Sequence, residues 1–166
     1  MSRQLIKDRT VVEDRWSLVR ESNSEALPWT PVIVPLETWK SRRNELNERG
    51  DVGVWLSPSD DPAELAADAT TLPLIAVDFP QFTDGRGYSI GRLLRERYGF
   101  TGELRAIGDV QQDQLYYLAQ CGFNAFAIRP DRSAEDALAG LAAFSDGYQS
   151  TTVRTPWFRR RAGVGA

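Results

Sequence analysis

The stretch FPQFTDGRGYS concentrates residue types that could bind or transform a small anion. Gly85 and Gly87 bracket Arg86 directly before a predicted helix. Backbone amides, the positive helix end and a guanidinium could therefore converge on one oxyanion or phosphate. The spacing matches neither a Walker loop nor a dinucleotide fingerprint. A second interpretation stays open, in which the glycines only turn the chain, Asp84 caps the helix and Arg86 pairs with Asp78 or Asp84.

Three further side chains could transfer protons. Asp78 and Asp109 each end an apolar run that reads as a strand. If those strands are neighbours, the two carboxylates could share a pocket and separate their pKa values, as a general acid–base pair does. Tyr88 could donate a proton. The alternative is that both aspartates are solvated or cap helices and that Tyr88 packs beside the helix start.

The composition excludes several classes of site. Lysine and arginine number 20 against 23 acids, a formal charge of −3, so no global basic field exists to hold nucleic acid. The chain has no histidine and one cysteine, which excludes classical zinc sites and Ser-His or Cys-His pairs within it. Cys121 stands before Gly122 in a predicted last helical turn. We expect a buried structural thiol there, not a redox centre.

The first residues, MSRQLIKDRTVVEDRW, carry charges throughout and lack an apolar signal core. No uninterrupted apolar run approaches the roughly 20 residues that a membrane helix needs. The sequence therefore predicts a cytoplasmic protein with no membrane segment.

The 166 residues suit one domain, which we place at residues 1–150. From residue 32 onward, short apolar runs alternate with amphipathic segments closed by glycine. This rhythm predicts an α/β fold of about five parallel βα units, either an open doubly wound sheet or an incomplete β/α barrel. Residues 1–31 are predicted to form a small N-terminal β extension, and residues 151–166 a flexible tail.

Several predicted element boundaries carry their own chemical markers. Gly50 is the last residue of the helical pattern ETWKSRRNELNERG, where a left-handed cap is expected. Asp61 and Pro62 are a natural N-cap and first helical residue, and Ser133 with Asp136 resembles a capping box. In both candidate architectures ligands gather at the carboxyl ends of the strands. That rule selects residues after four strands: Trp55, Ser57, Asp78 through Gly87, Gly108, Asp109, Asp113, Arg129 and Asp131.

Four motifs in the second half of the chain carry a family resemblance: F-x-D-G-R-G-Y-S, G-E-L-R-A, G-D-V-x-x-D-Q and C-G-F-x-A-F. From about residue 77 to 149 the chain resembles an uncharacterised bacterial family described as a probable oxidoreductase of sulfite reduction. The resemblance implies a role beside assimilatory sulfite reductase. It also implies that the recurrent polar positions of the family are Asp84, Arg86, Tyr88, Asp109, Asp113 and Gln114.

The residues themselves do not support the oxidoreductase label. There is no flavin or nicotinamide fingerprint, no cysteine cluster for iron–sulfur and no histidine to ligate haem, so we expect no cofactor. The leading hypothesis is an accessory protein that binds components of the sulfite reductase system or a small anion. The alternative is a cofactor-free enzyme acting on a small anion, so enzymatic activity stays open.

Two further partner hypotheses concern interfaces. A truncated barrel would expose sheet that a second copy could cover, which predicts a homodimer. The segment WFRRR, at residues 157–161, is either a solvated tail or a docking segment for an acidic partner.

Overall fold

The computed structural model describes residues 3–23, 25–81, 84–129 and 131–148. The predicted flexible tail at residues 151–166, with its WFRRR segment, lies outside them. The fold is mixed α/β, with an eight-stranded curled half-barrel sheet in the order β2-β1-β8-β7-β6-β5-β4-β3. The strands are β1 Arg3–Lys7, β2 Thr10–Asp14, β3 Ser17–Leu18, β4 Val32–Pro35, β5 Val52–Leu56, β6 Leu74–Phe79, β7 Glu103–Gly108 and β8 Ala125–Phe126.

Five α-helices lie in the connections after β4, β6, β7 and β8. They are α1 Leu36–Ser41, α2 Arg43–Arg49, α3 Arg86–Glu96, α4 Leu115–Gln120 and α5 Ala134–Tyr148. Gly50 has the left-handed conformation predicted for the end of α2, with φ 75°. Among the described residues, none of the helices combines the length and the apolar character that crossing a bilayer requires.

The strands from β3 to β8 are parallel and follow one another in chain order. The order does not reverse as it does at the switch point of a doubly wound sheet, so the incomplete-barrel alternative describes this sheet better. The connection after β5 differs from the predicted βα unit, because the described residues there contain no α-helix. Asp61 caps through a bond from the Ala63 amide, with Pro62 following, but only a 3₁₀ helix forms, at Pro62–Leu65.

The N-terminal β extension is confirmed. β1 pairs with β2 in an antiparallel hairpin and with β8 as an antiparallel neighbour. Asp8 and Arg9 form the turn with φ values of 49° and 64°, the left-handed pair that a two-residue hairpin loop requires. The hairpin therefore extends the parallel sheet beyond β8.

The two outermost strands of the sheet, β2 and β3, are close in sequence. β1 is antiparallel to both β2 and β8, and β3 to β8 are parallel, so β2 and β3 run in the same direction. Arg15 and Trp16 alone separate them, and three Cα steps span at most about 11 Å. The sheet must therefore curl until its two edges approach each other there, which gives it a concave interior.

The two faces of the sheet bury different residues. Val77 and Phe79 of β6 face the main core beneath the helices. Leu74 and Ala76, on the opposite face, join a smaller interior cluster that Trp16 and Trp55 partly cover. Because side chains alternate along a strand, Asp78 shares the interior face with Leu74 and Ala76.

Candidate functional site

The start of α3 is already occupied by a carboxylate of the chain itself. Asp84 Oδ1 accepts hydrogen bonds from the Arg86 amide and from Arg86 Nε, both at 3.1 Å. The guanidinium also donates through Nη2 to Asp84 Oδ2 at 2.8 Å. This pairing, led by the guanidinium bond, lowers the pKa of Asp84. An incoming anion would have to displace Asp84 at this position.

The two glycines of the motif have different surroundings. A Cβ at Gly87 would lie 2.5 Å from the Phe79 ring, so α3 approaches β6 this closely only because residue 87 has no side chain. A Cβ at Gly85 would meet no atom within 4 Å. The close contact between α3 and β6 therefore explains why residue 87 is a glycine, whereas packing does not require a glycine at residue 85. Phe82 and Thr83 of the same motif are outside the described residues.

Asp78 lies at the carboxyl end of β6, inside the curled sheet. Its Oδ2 is 3.1 Å from Arg20 Nη1, and the Arg20 guanidinium lies 5.1 Å from the centroid of the Trp55 ring. The other oxygen, Oδ1, is buried and has no hydrogen-bond partner among the described residues. Gly108, with φ 90°, leaves room for it, because a Cβ there would be 2.5 Å from Oδ1.

Asp109 follows the neighbouring strand and has a different partner. Its amide donates to the Phe79 carbonyl at 2.7 Å, which joins the ends of β6 and β7. Its carboxylate binds Arg129 Nη1 at 3.1 Å, and Arg129 Nε also binds Asp131 at 3.2 Å. The two candidate carboxylates thus lie at the ends of adjacent strands, but each forms an ion pair with a different arginine.

Tyr88 belongs to an aromatic cluster. Its ring lies 5.4 Å from that of Phe79 and 4.9 Å from that of Tyr117, measured between centroids. Burial raises the pKa of Tyr88, with smaller contributions from Cys121 and Tyr117. A phenol in this setting keeps its proton at neutral pH and packs α3 against α4.

Cys121 is buried, as the sequence predicted. Burial raises the pKa of its thiol, although Arg92 Nη2, 3.8 Å from Sγ, opposes the shift. The local sequence offers no basic neighbour, because Arg92 comes from α3. No group of three or more acidic, cysteine or histidine side chains within the described ranges could hold a metal ion.

A concave pocket lies at the carboxyl ends of β7 and β8, beside α4 and α5, and has a volume of about 760 Å³. We call it the rim pocket. It is lined by Val110, Gln111, Gln112, Asp113, Tyr116, Tyr117, Arg129, Arg132, Gly140 and Leu141. Sequence reasoning selected Asp113 and Arg129 by their place after strands. It missed Tyr117, although an exposed tyrosine on an amphipathic helix was the available signal.

Two charged side chains of the rim pocket have no partner within the described part of the chain. Neither the Asp113 carboxylate nor the Arg132 guanidinium makes a hydrogen bond or ion pair there, and both residues are exposed. Tyr117 is 54% exposed, unusually high for a large aromatic residue. The rim pocket thus offers an anion, a cation and an aromatic ring to a partner.

The fold and the site define an α/β protein with a curled sheet and a pocket at the carboxyl ends of its strands. The family model "Bacterial protein of unknown function (DUF934)" matches residues 53–158. The chain therefore belongs to the DUF934 family. A comparison with curated proteins found no match.

Proposed function

We propose that this protein is an accessory protein of bacterial assimilatory sulfite reduction that binds a component of the reductase system at the rim pocket. The observation that carries the proposal is the pocket itself, where Asp113 and Arg132 have no partner among the described residues. Tyrosine and arginine are enriched at protein interfaces, and Tyr117 and Arg132 are both exposed at this pocket. The link to sulfite reduction comes from the family resemblance of the four sequence motifs.

The residue inventory favours binding over electron transfer. With one cysteine and no histidine, the chain cannot by itself supply four thiolates to an iron–sulfur cluster or a histidine to haem. Any cysteine-ligated iron–sulfur cluster or histidine-ligated haem of the system would therefore belong to the partner.

The size of the rim pocket favours a ligand larger than an inorganic anion. Pockets of about 300–1,000 Å³ accommodate drug-sized molecules, and the rim pocket has about 760 Å³. Sulfite has only four heavy atoms and would leave most of that volume unfilled. A polypeptide segment of a reductase component fits better.

Affinity purification from the native host tests the proposal. The tagged chain should enrich sulfite reductase components over a tag-only control, and Tyr117→Ala should reduce this enrichment at least fivefold, as measured by quantitative mass spectrometry. Glu48→Gln, an exposed change on α2, serves as the matched control and should bind like wild type. If no reductase component is enriched and a deletion strain grows normally on sulfate, the proposal fails.

A cofactor-free enzyme acting on a small anion is the second candidate. It is favoured by the unpaired Oδ1 of Asp78, because a general base needs a free carboxylate oxygen. In this alternative Asp78 or Asp109 takes a proton, Tyr88 donates one, and Arg86 with the Gly85 and Gly87 amides holds the anion. Sulfite, sulfate or phosphate should then raise the melting temperature of the wild type but not of Arg86→Ala. If none of them stabilises the wild type, this candidate loses its support.

A further inference from the structure

Negative charge predominates around the rim pocket. Asp113 lines it, and two more carboxylates reach it through their ion pairs with Arg129, which also lines it. Three carboxylates thus stand against two guanidinium groups: Asp109, Asp113 and Asp131 against Arg129 and Arg132.

The pairing within this group leaves one carboxylate directly available. Arg129 is shared between two aspartates, at 3.1 and 3.2 Å, so its charge is already used. Asp113 has no partner among the described residues. Arg132 is a positively charged residue in another part of the lining and is available to a carboxylate of the partner. Asp113 therefore offers an unpaired carboxylate to a cation of the partner.

Asp113 and Tyr117 stand four residues apart along one helical segment, since the 3₁₀ helix Gln112–Gln114 continues directly into α4. Side chains at this spacing are neighbours on a helix surface. An ammonium or guanidinium group held there would contact the carboxylate and the exposed tyrosine ring together, gaining an ion pair and a cation–π interaction. Such a contact is specific for a cation with an adjoining carbon chain.

The lining of the pocket is also apolar. Val110 and Leu141, each at most 3% exposed, contribute apolar side chains that belong to the main core. An apolar side chain inserted there would leave water without requiring a polar partner. The pocket thus combines an apolar surface with an acidic border.

We infer that the partner segment bound at the rim pocket presents a lysine or arginine to Asp113 and Tyr117, and an adjacent apolar side chain to Val110 and Leu141. This inference rests on the proposed function, because it assigns the chemistry of the polypeptide bound there. Electrostatic complementarity of this kind gives specificity and faster association.

Fluorescence anisotropy with two labelled peptides, GKWKLKG and GEWELEG, tests the inference on the full chain. The basic peptide should bind more tightly than the acidic one. Asp113→Asn and Tyr117→Ala should each weaken binding of the basic peptide about fivefold or more, a change of about 1 kcal/mol or more in binding free energy. Glu48→Gln removes a remote acid and should bind like wild type. Raising the salt from ~50 to ~300 mM should weaken binding, because screening shortens the reach of exposed charges.

The outcomes separate this inference from the proposed function. Equal binding of both peptides, or basic-peptide binding that Asp113→Asn does not weaken, overturns the inference. If the basic peptide fails to bind while sulfite reductase components are still enriched by wild type and lost in Tyr117→Ala, the inference fails and the function stands. If the basic peptide binds through Asp113 while no reductase component is enriched, the pocket chemistry stands and the function fails. Circular dichroism of each variant confirms that the fold is retained.

Discussion

The charged side chains inside the curled sheet have different surroundings from those at the rim pocket. Inside the curled sheet, Arg105 is 2% exposed and is bound by Glu103 at 2.8 Å and by Asp14 at 2.9 Å. At the rim pocket, Asp113 and Arg132 are exposed and have no partner among the described residues. The interior charges are paired and desolvated, whereas the rim charges remain in water.

The difference separates residues that hold the fold from residues available to a partner. Arg105 of β7 reaches Asp14 at the end of β2, across two intervening strands of the sheet. It therefore ties the N-terminal hairpin to the parallel strands. Removing one member of a buried pair leaves an uncompensated charge, while exposed pairs contribute about 0–1 kcal/mol. Substitutions in the interior should therefore destabilise the protein strongly, and substitutions at the rim should not.

The largest effect is expected from Arg105→Met. Methionine keeps an unbranched apolar stem but is shorter and uncharged, so it leaves Glu103 and Asp14, which are 7% and 10% exposed, without their shared cation. We expect a loss of about 3–5 kcal/mol in the free energy of unfolding, measured by urea denaturation. Arg132→Met, the same change at the rim, should cost less than about 0.5 kcal/mol. Similar losses at the two positions would contradict the distinction between the regions.

An intermediate effect is expected at the glycines of the α3 start. Gly87→Ala puts a Cβ 2.5 Å from the buried Phe79 ring, which cannot move without disturbing the core. We expect a loss of about 1–3 kcal/mol in unfolding free energy. Gly85→Ala meets no atom within 4 Å and should stay within about 0.5 kcal/mol of wild type.

This pair also distinguishes packing from anion binding. If the glycines serve an anion, Gly85→Ala should weaken stabilisation by sulfate or phosphate although it leaves the fold intact. If they serve the close contact with β6, Gly87→Ala alone should lower the melting temperature. Equal stability of both variants would show that the Phe79 contact is not the reason for Gly87.

The sequence predicted much of the fold because the relevant signals are local. Gly50 ends α2 in a left-handed conformation, and the Asp136 amide donates to Ser133 Oγ at 3.2 Å, as its capping pattern indicated. Asp109, proposed as a cap, instead binds Arg129, and the helical segment after β7 begins at Gln112 with Gln111 as its N-cap. Local spacing cannot reveal that Arg129, twenty residues later, lies beside Asp109.

The rest of the architecture depends on contacts between distant segments. Nothing in Asp14 or Arg105 identifies them as partners, since 91 residues separate them. The curl of the sheet follows from β2 and β3 being outermost strands joined by two residues, and strand order is not encoded in periodicity. The rim pocket could not be predicted from the sequence for the same reason, because its lining combines residues of α4 with residues of α5.

The smallest effect is expected from Arg86→Ala, and it concerns a pKa. The Arg86 guanidinium is the largest cause of the lowered pKa of Asp84, and the residue 86 amide is the second. Alanine keeps the amide, so the pKa of Asp84 should rise only part of the way to its ordinary value near 4. Two-dimensional NMR titration of the aspartate carboxyl carbons measures this shift, and Asp51, whose pKa is lowered by Arg49, is the internal reference that should not move.

The sign of the pH dependence follows from the direction of that shift. A lowered folded-state pKa stabilises the protein above the unfolded value, near 4, and this contribution is lost as the pH falls through the folded-state pKa. The stability difference between wild type and Arg86→Ala should therefore be present at neutral pH and vanish in strong acid. An unchanged Asp84 pKa in the variant would mean that the pair does not hold in solution. Arg86 would then be available to an anion, and the start of α3 would resemble the rim pocket.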